Sequence, residues 1–141
     1  MRYWDASALV PLIVSESGTD QAQSWLVSDS EIVTWAWTRV EITSAIERRT
    51  REGALSRDER RTVLDRLIRF ADTWDEVAEI LAVRSQASLL LARHSLRAAD
   101  AGQLGAALLV QEQLGGFLEF LSLDRRLSEA AELEGLRIPA P

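Results

Sequence analysis

Four carboxylates, Asp5, Glu41, Asp100 and Asp124, each stand where a strand-like run meets a helix-like one, or about one turn into a helix. The run from Tyr3 to Val10 starts as a short strand, delivers Asp5 to its C-terminal end and continues as a helix. Phe117 to Leu123 reads as a buried strand that hands Asp124 to the next helix. In an open sheet of parallel strands such ends line up along one crevice, which is where ligands bind. Two carboxylates about 4 Å apart repel by about 4 kcal/mol at an effective dielectric near 20. A cluster of them therefore requires protonation or a divalent cation, and a hard metal bound through oxygen is the expected solution.

The rest of the composition narrows the chemistry by exclusion. There is no cysteine, which removes disulfides, thiolate zinc sites and a cysteine nucleophile together. His94 is the single histidine, so a metal site built on imidazoles is not expected. All 16 basic residues are arginine, which closes every mechanism that needs a lysine ammonium and excludes the phosphate loop ending in Gly-Lys-Ser/Thr. No Gly-x-Gly-x-x-Gly follows a strand, so a dinucleotide site is excluded as well. The net charge of -6 argues against a chain coated in basic charge, yet its distribution is uneven. Between Ala36 and Phe70 nine arginines face six acids, so a basic region sits inside an acidic protein. At 141 residues and 47% apolar content the chain suits one domain, residues 1–141, with one core. The apolar run from Ala8 to Val14 is too short to span a bilayer, contains Pro11 and follows Asp5 rather than a basic leader. No membrane span or export leader is expected, and the expected location is the cytoplasm.

The elements that must position the acids follow from periodicity. Gly18 and Thr19 open a helical pattern with Ala22, Trp25 and Leu26 on one face, which fades at Ser28-Asp29-Ser30. Ile32 to Trp35 reads as a strand. Ala36 to Arg51 carries Val40, Ile42, Ala45 and Ile46 at helical spacing, with Gly53 as its stop. Ser56 and Glu59 form a capping box for a helix whose apolar face is Val63, Leu64, Leu67, Ile68 and Ala71. Trp74 to Ile80 is ambiguous in pattern, with a short edge strand as its reading. Helices follow from about Ala82 to His94 and from about Ala98 to Leu114, where Gly115-Gly116 breaks the pattern. A helix from Asp124 to about Glu134 and a short strand at Leu136 to Ile138 close the chain. Strands alternating with helices of this length imply an α/β fold, a short, mostly parallel central sheet with helices on both faces.

Taken together, Asp5-Ala6-Ser7-Ala8-Leu9, Thr38-Arg39-Val40-Glu41-Ile42, Leu96-Arg97-Ala98-Ala99-Asp100-Ala101 and Leu121-Ser122-Leu123-Asp124-Arg125-Arg126-Leu127 strongly resemble the PIN-domain nucleases. Length and motif wording are most similar to the VapC toxins of bacterial and archaeal toxin–antitoxin pairs. The resemblance runs from Tyr3 to Ile138. It implies a PIN-like fold and an endoribonuclease in which the acids at Asp5, Glu41, Asp100 and Asp124 gather around Mg2+ or Mn2+. It also implies hydroxyl partners at Ser7 and Ser122, an antitoxin of the VapB type, and a toxin that forms a homodimer. One departure is visible: the family often places a histidine three residues after the third acid, where this chain has Gln103. The chemistry is consistent with the residue types, because metal-held water and neutralised phosphate charge hydrolyse a phosphodiester without a histidine base. Magnesium keeps several waters and takes one or two direct carboxylates, so Asp5 is expected to ligate directly and some of the others through water.

Blander readings stand beside these. Asp124 is placed to cap a helix, and Asp100 to complement a helix dipole. Glu41 reads alternatively as an exposed helix residue. Arg48, Arg49 and Arg51 are candidates for RNA contact, yet with Arg57, Arg60 and Arg61 they also suit a solvated helix hairpin paired with Glu47, Glu52, Asp58 and Glu59. His94 and the five tryptophans read as packing residues. Leu9, Leu12 and Ile13, with Trp35 or Trp37, are candidates for the apolar wall of an antitoxin groove. Competing functions are an RNA-processing PIN nuclease without an antitoxin and a PIN-like module that binds RNA or protein without cutting. A haloacid dehalogenase-type phosphatase is disfavoured, since it calls for a second acid where Ser7 stands and for a lysine.

Overall fold

The computed structural model describes residues 1–140. Each strand is three or four residues long; the inner ones are largely buried on both faces, as strands covered by helices on both sides must be, whereas Asp75 and Glu76 lie exposed on an edge strand. The strands are β1 (Arg2–Trp4), β2 (Ile32–Trp35), β3 (Asp75–Val77) and β4 (Glu119–Leu121). They form one sheet in the order β3-β2-β1-β4, and every pairing is parallel. Register sets Tyr3 beside Val33 and Phe120, and Trp4 beside Leu121. Side chains alternate across a strand, so Trp4, Ile32 and Leu121 enter one apolar cluster while Tyr3, Val33 and Phe120 enter the other.

The first cluster is covered by α1 (Ala6–Ile13), α2 (Thr19–Ser28), α3 (Thr38–Arg51) and α4 (Arg57–Ala71). The second is covered by α5 (Ile80–Arg93), α6 (Ala98–Leu114) and α7 (Arg125–Leu133). None of these helices is long and apolar enough to cross a membrane. The capping box at Ser56 forms as expected, with the Glu59 amide donating to Ser56 Oγ at 3.1 Å and the Ser56 amide to Glu59 Oε1 at 2.9 Å. Gly115 stops α6 in the left-handed region, φ 68°, where a side chain would be strained.

Three expectations change. α5 begins at Ile80 rather than Ala82, directly after the short edge strand β3. Leu136 to Ile138 does not form a strand: only Arg137 bridges to Glu119, through Phe120 N–H to Arg137 O and Arg137 N–H to Leu118 O. Pro139 has no N–H with which to extend the ladder. Ile68 lies on the exposed side of α4 instead of its buried face.

Candidate active site

Parallel strands on either side of β1 bring the C-terminal ends of β1 and β4 together. The Asp5 amide donates to Leu121 O at 2.9 Å, which fixes the turn out of β1 against the end of β4. Asp5 then N-caps α1 and is 4% exposed. Its Oδ2 accepts two hydroxyl hydrogen bonds, from Ser7 at 2.5 Å and from Ser122 at 2.8 Å. The serines are held in turn by the chain leaving β4: the Leu123 amide donates to Ser7 Oγ at 2.9 Å and the Asp124 amide to Ser122 Oγ at 3.0 Å. Both hydroxyls point at one carboxylate oxygen, and the backbone carbonyl nearest Ser122 Oγ, that of Asp124, lies farther off at 3.5 Å.

Glu41 sits in the first turn of α3 and Asp100 in the first turn of α6, both half-buried. Asp124 N-caps α7 and accepts from the Leu127 amide at 3.2 Å, so the capping role open in the sequence is filled. The acids lie near enough to act on one another. Burial, offset by the two serine hydrogen bonds and reinforced by the charge of Asp100, raises Asp5 to about 6. Burial, offset by a hydrogen bond from Gln103 and reinforced by Asp5 and Asp100, raises Glu41 to about 7. Asp100 is raised by burial and by Asp124, against the opposing pull of Arg97 and Arg126. Among the described residues none of the four acids has an arginine within ion-pair distance.

Gln103, which the sequence offered as a departure from a histidine, is fully buried beneath Glu41. The Tyr3 hydroxyl donates to its Oε1 at 2.7 Å, and burial together with the charges of Asp5 and Glu41 keeps Tyr3 protonated far above neutral pH. The amide nitrogen is thereby left to donate twice, to Glu41 Oε1 at 2.8 Å and to Thr38 Oγ1 at 2.9 Å. The hydroxyls of Thr38 and Thr34 lie 2.7 Å apart, and Thr34 donates to Trp4 O at 2.7 Å. Every proton in this chain has one acceptor, so the orientation of Glu41 is fixed from β1 outward. The signal was present in the sequence: a polar side chain inside Ala101–Ala107, a run buried on all sides, must find partners.

Two grooves reach the acids. One is lined by Ser7, Glu41, Ala45, Arg48 and Leu123, and the other by Asp100, Asp124, Arg97, Arg125 and Arg126. Of the three arginines in the last turn of α3, Arg48 is exposed and lines the first groove. Arg49 also borders it, but its guanidinium is bound to Glu16 at 2.7 Å and to Ala45 O at 3.2 Å. Arg51 lies exposed at the end of the helix. Leu9 and Ile13 are core residues with no exposed surface, so they cannot form a groove wall, while Trp37 is 51% exposed.

The donor set suits a hard, hydrated divalent ion. It consists of oxygens alone, its charges repel, and no side-chain cation neutralises them at contact. Among the described residues no group of three or more His, Asp or Glu side chains is drawn together closely enough to hold a metal ion by itself; an ion that keeps most of its waters takes only one or two direct carboxylates.

Known proteins resemble the chain over its length. A family model described as the PIN domain matches residues 2–133. The chain is 34% identical over 143 aligned positions to "Ribonuclease VapC35" of Mycobacterium tuberculosis, covering 100% of this chain and 97% of that protein. It is 30% identical over 125 positions to "Ribonuclease VapC3" of Pyrobaculum aerophilum, covering 89% of this chain and 90% of that one. With its parallel sheet, its acids at the sheet's C-terminal edge and a family match across nearly all of its length, the chain belongs to the PIN domain family.

Proposed function

We propose that this protein is a metal-dependent endoribonuclease and the toxin of a type II toxin–antitoxin pair. The observation that carries the reading is Asp5, locked by two serine hydroxyls at the point where its charge and that of Asp100 raise the proton affinity of Glu41, in a chain whose relatives are named ribonucleases. Asp5, Glu41 and Asp100 are the residues that would hold Mg2+ or Mn2+, with Asp124 at the far side of Asp100. When bound there, such an ion supplies acidified water and neutralises charge on the phosphate. The chain supplies the rest. Ser7 and Ser122 keep Asp5 in one rotamer, Gln103 keeps Glu41 in another, and Arg48 in one groove with Arg97 and Arg126 in the other attract the phosphodiester backbone.

The test is cleavage of RNA by the purified chain with Mg2+ or Mn2+, against chelator and against Asp5→Asn and Asp100→Asn. Cleavage should stop in all three cases, and wild-type cleavage by both variants would overturn this active site.

The toxin half of the proposal carries two partners. An antitoxin of the VapB type would block the anionic crevice by placing a basic side chain among the acids, with its apolar residues along the adjoining groove. Co-expression with the product of the adjacent small gene should give copurification and loss of cleavage. A second copy of the chain would cover α5, whose solvent side presents Leu81, Leu89 and Leu91. A chain that stays monomeric and uninhibited would remove the toxin assignment and leave the nuclease standing, as an RNA-processing enzyme.

A further inference from the structure

Helix α3 does more than carry Glu41. Trp37 precedes it in helical conformation, φ −76° and ψ −11°, and its carbonyl accepts from the Val40 and Glu41 amides, so Trp37 is in phase with the helix. At 3.6 residues per turn, Trp37, Glu41, Ser44 and Arg48 form one stripe. Trp37, Ser44 and Arg48 are exposed, and Glu41 is half-buried between them. Trp37 belongs to neither apolar cluster, whereas Trp4 and Trp74 are buried and Trp25 and Trp35 pack against those clusters. A solvent-facing indole one turn from an acid of the site has no packing role to explain it. Arg48, at the other end, has no carboxylate within ion-pair distance among the described residues, although Arg49, Arg60 and Arg69 are paired with Glu16, Glu47 and Asp65. Arg39, on the opposite side of the helix, is paired with Glu76.

We infer that this stripe is a track for single-stranded RNA, with one base stacked on Trp37 and a backbone phosphate bound by Arg48, on either side of Glu41. The inference rests on the ribonuclease reading and adds to it a base-recognition subsite. Along the axis Trp37 and Arg48 are roughly 16 Å apart at 1.5 Å per residue, a reach of a few nucleotides. The chemistry at the two ends is complementary to the two faces of a strand. An indole offers any base a stacking surface, most favourably a purine, and a free guanidinium offers a phosphate two parallel donors. A groove lined by both Glu41 and Arg48 joins the acid to the arginine end of the stripe, and Trp37 extends the stripe one turn beyond Glu41. The flat, unpaired bases of a single strand can reach Trp37, while those of a duplex are stacked on each other.

The test is equilibrium binding, by fluorescence anisotropy, of a labelled oligo(A) RNA and of an abasic ribose-phosphate strand of equal length, in chelator. Trp37→Ala should weaken oligo(A) binding roughly tenfold to a hundredfold, the range of one lost stack, and leave binding of the abasic strand unchanged. Trp37→Phe should retain most of the affinity. Arg48→Gln should weaken both strands and reduce the salt slope by about one. Because Trp37 is exposed, its variants should melt with the wild type. The inference is overturned if Trp37→Ala binds oligo(A) as tightly as the wild type, the result expected of a tryptophan that contacts a protein partner. Equal losses on both strands would overturn it too. Cleavage by the wild type and its loss in Asp5→Asn are scored separately, so a working nuclease with an indifferent Trp37 loses only the track. A chain that stacks RNA on Trp37 but never cuts it loses only the nuclease reading.

Discussion

Two sites in this molecule hold partly or fully buried carboxylates and behave oppositely. At the C-terminal ends of α5 and α7, Glu134 Oε2 accepts from Arg93 Nε at 3.1 Å and Oε1 from Arg93 Nη2 at 2.9 Å, and His94 Nε2 lies 2.6 Å from Oε2. The hydrogen bond from Arg93, helped by His94, holds Glu134 below the usual carboxylate range. At the edge of the sheet, burial and mutual repulsion push Asp5, Glu41 and Asp100 above it. A carboxylate whose charge is answered within the fold ties elements together. Carboxylates that the fold buries side by side and leaves unanswered oppose folding, and what they offer in return is affinity for an external cation.

The comparison breaks first at Asp5. Asp5→Asn removes a charge that the fold holds at a cost, so the metal-free variant should melt no lower than the wild type. Cleavage should nevertheless fall by roughly 10²–10³-fold or more, the scale of losing one preorganised electrostatic group. A variant that unfolds, or one that cuts normally, would place Asp5 with Glu134 as a structural acid.

Gln103 is the next lever, because it is the one neutral group that answers Glu41. Gln103→Leu leaves the Tyr3 and Thr38 hydroxyls short of a partner, which costs about 1–3 kcal/mol. It also frees Glu41 to change rotamer, with an expected fall in kcat of about tenfold and little change in KM. The hydrogen bond from Gln103 lowers the Glu41 proton affinity, so its loss should move Glu41 further above about 7 and shift the acidic limb of the rate profile to higher pH. An unmoved profile with reduced stability would make Gln103 a packing residue.

Gln103 also marks how far the sequence can be read. The four acids were visible because a strand-to-helix change is a local pattern, and the parallel sheet follows from strands alternating with helices. Strand lengths were less visible: Phe117 to Leu123 contributes three paired residues, since pairing ends where the serine hydroxyls take over the backbone amides. Pairing among arginines was not visible, because it depends on long-range contacts. Arg48 and Arg49 are adjacent, but Arg49 reaches Glu16, thirty-three residues earlier in the chain, and Arg48 reaches no acid. Gln103 read as a substitution in a motif, and its role appears only when β1 sets the Tyr3 hydroxyl beneath it.

Smaller effects separate the clusters by the sign of their pH dependence. Asp5 and Glu41 are raised to about 6 and about 7, so between pH 4 and 7 the folded chain binds more protons than the unfolded one. Stability of the metal-free protein should therefore fall as pH rises through that window, by roughly 3–8 °C in Tm. Mg2+ or Mn2+ at pH 8 should restore it, by about 2.7 kcal/mol at a hundredfold excess over Kd, and chelator should remove the gain. A Tm indifferent to both pH and metal would mean that the acids do not share a site.

Glu134 should give the mirror image and the smallest effect. Its folded value lies below its unfolded one, so the stability it contributes is fully present above the ordinary glutamate range and is lost as pH falls through the folded value. Arg93 is about half exposed, which screens the pair, so Glu134→Gln should cost only about 1 kcal/mol at neutral pH, a few degrees in Tm. That deficit should disappear in acid, where wild type and variant are both neutral at this position. The Asp5→Asn difference should run the other way, vanishing in acid and growing toward pH 8. RNA cleavage should be unchanged in Glu134→Gln, because Glu134 lies with Arg93 and His94 at the ends of α5 and α7 and touches neither groove. If Glu134→Gln instead lost cleavage with its stability intact, a tie between helices would prove to be part of the active site, and the division of this chain's acids into answered and unanswered would not hold.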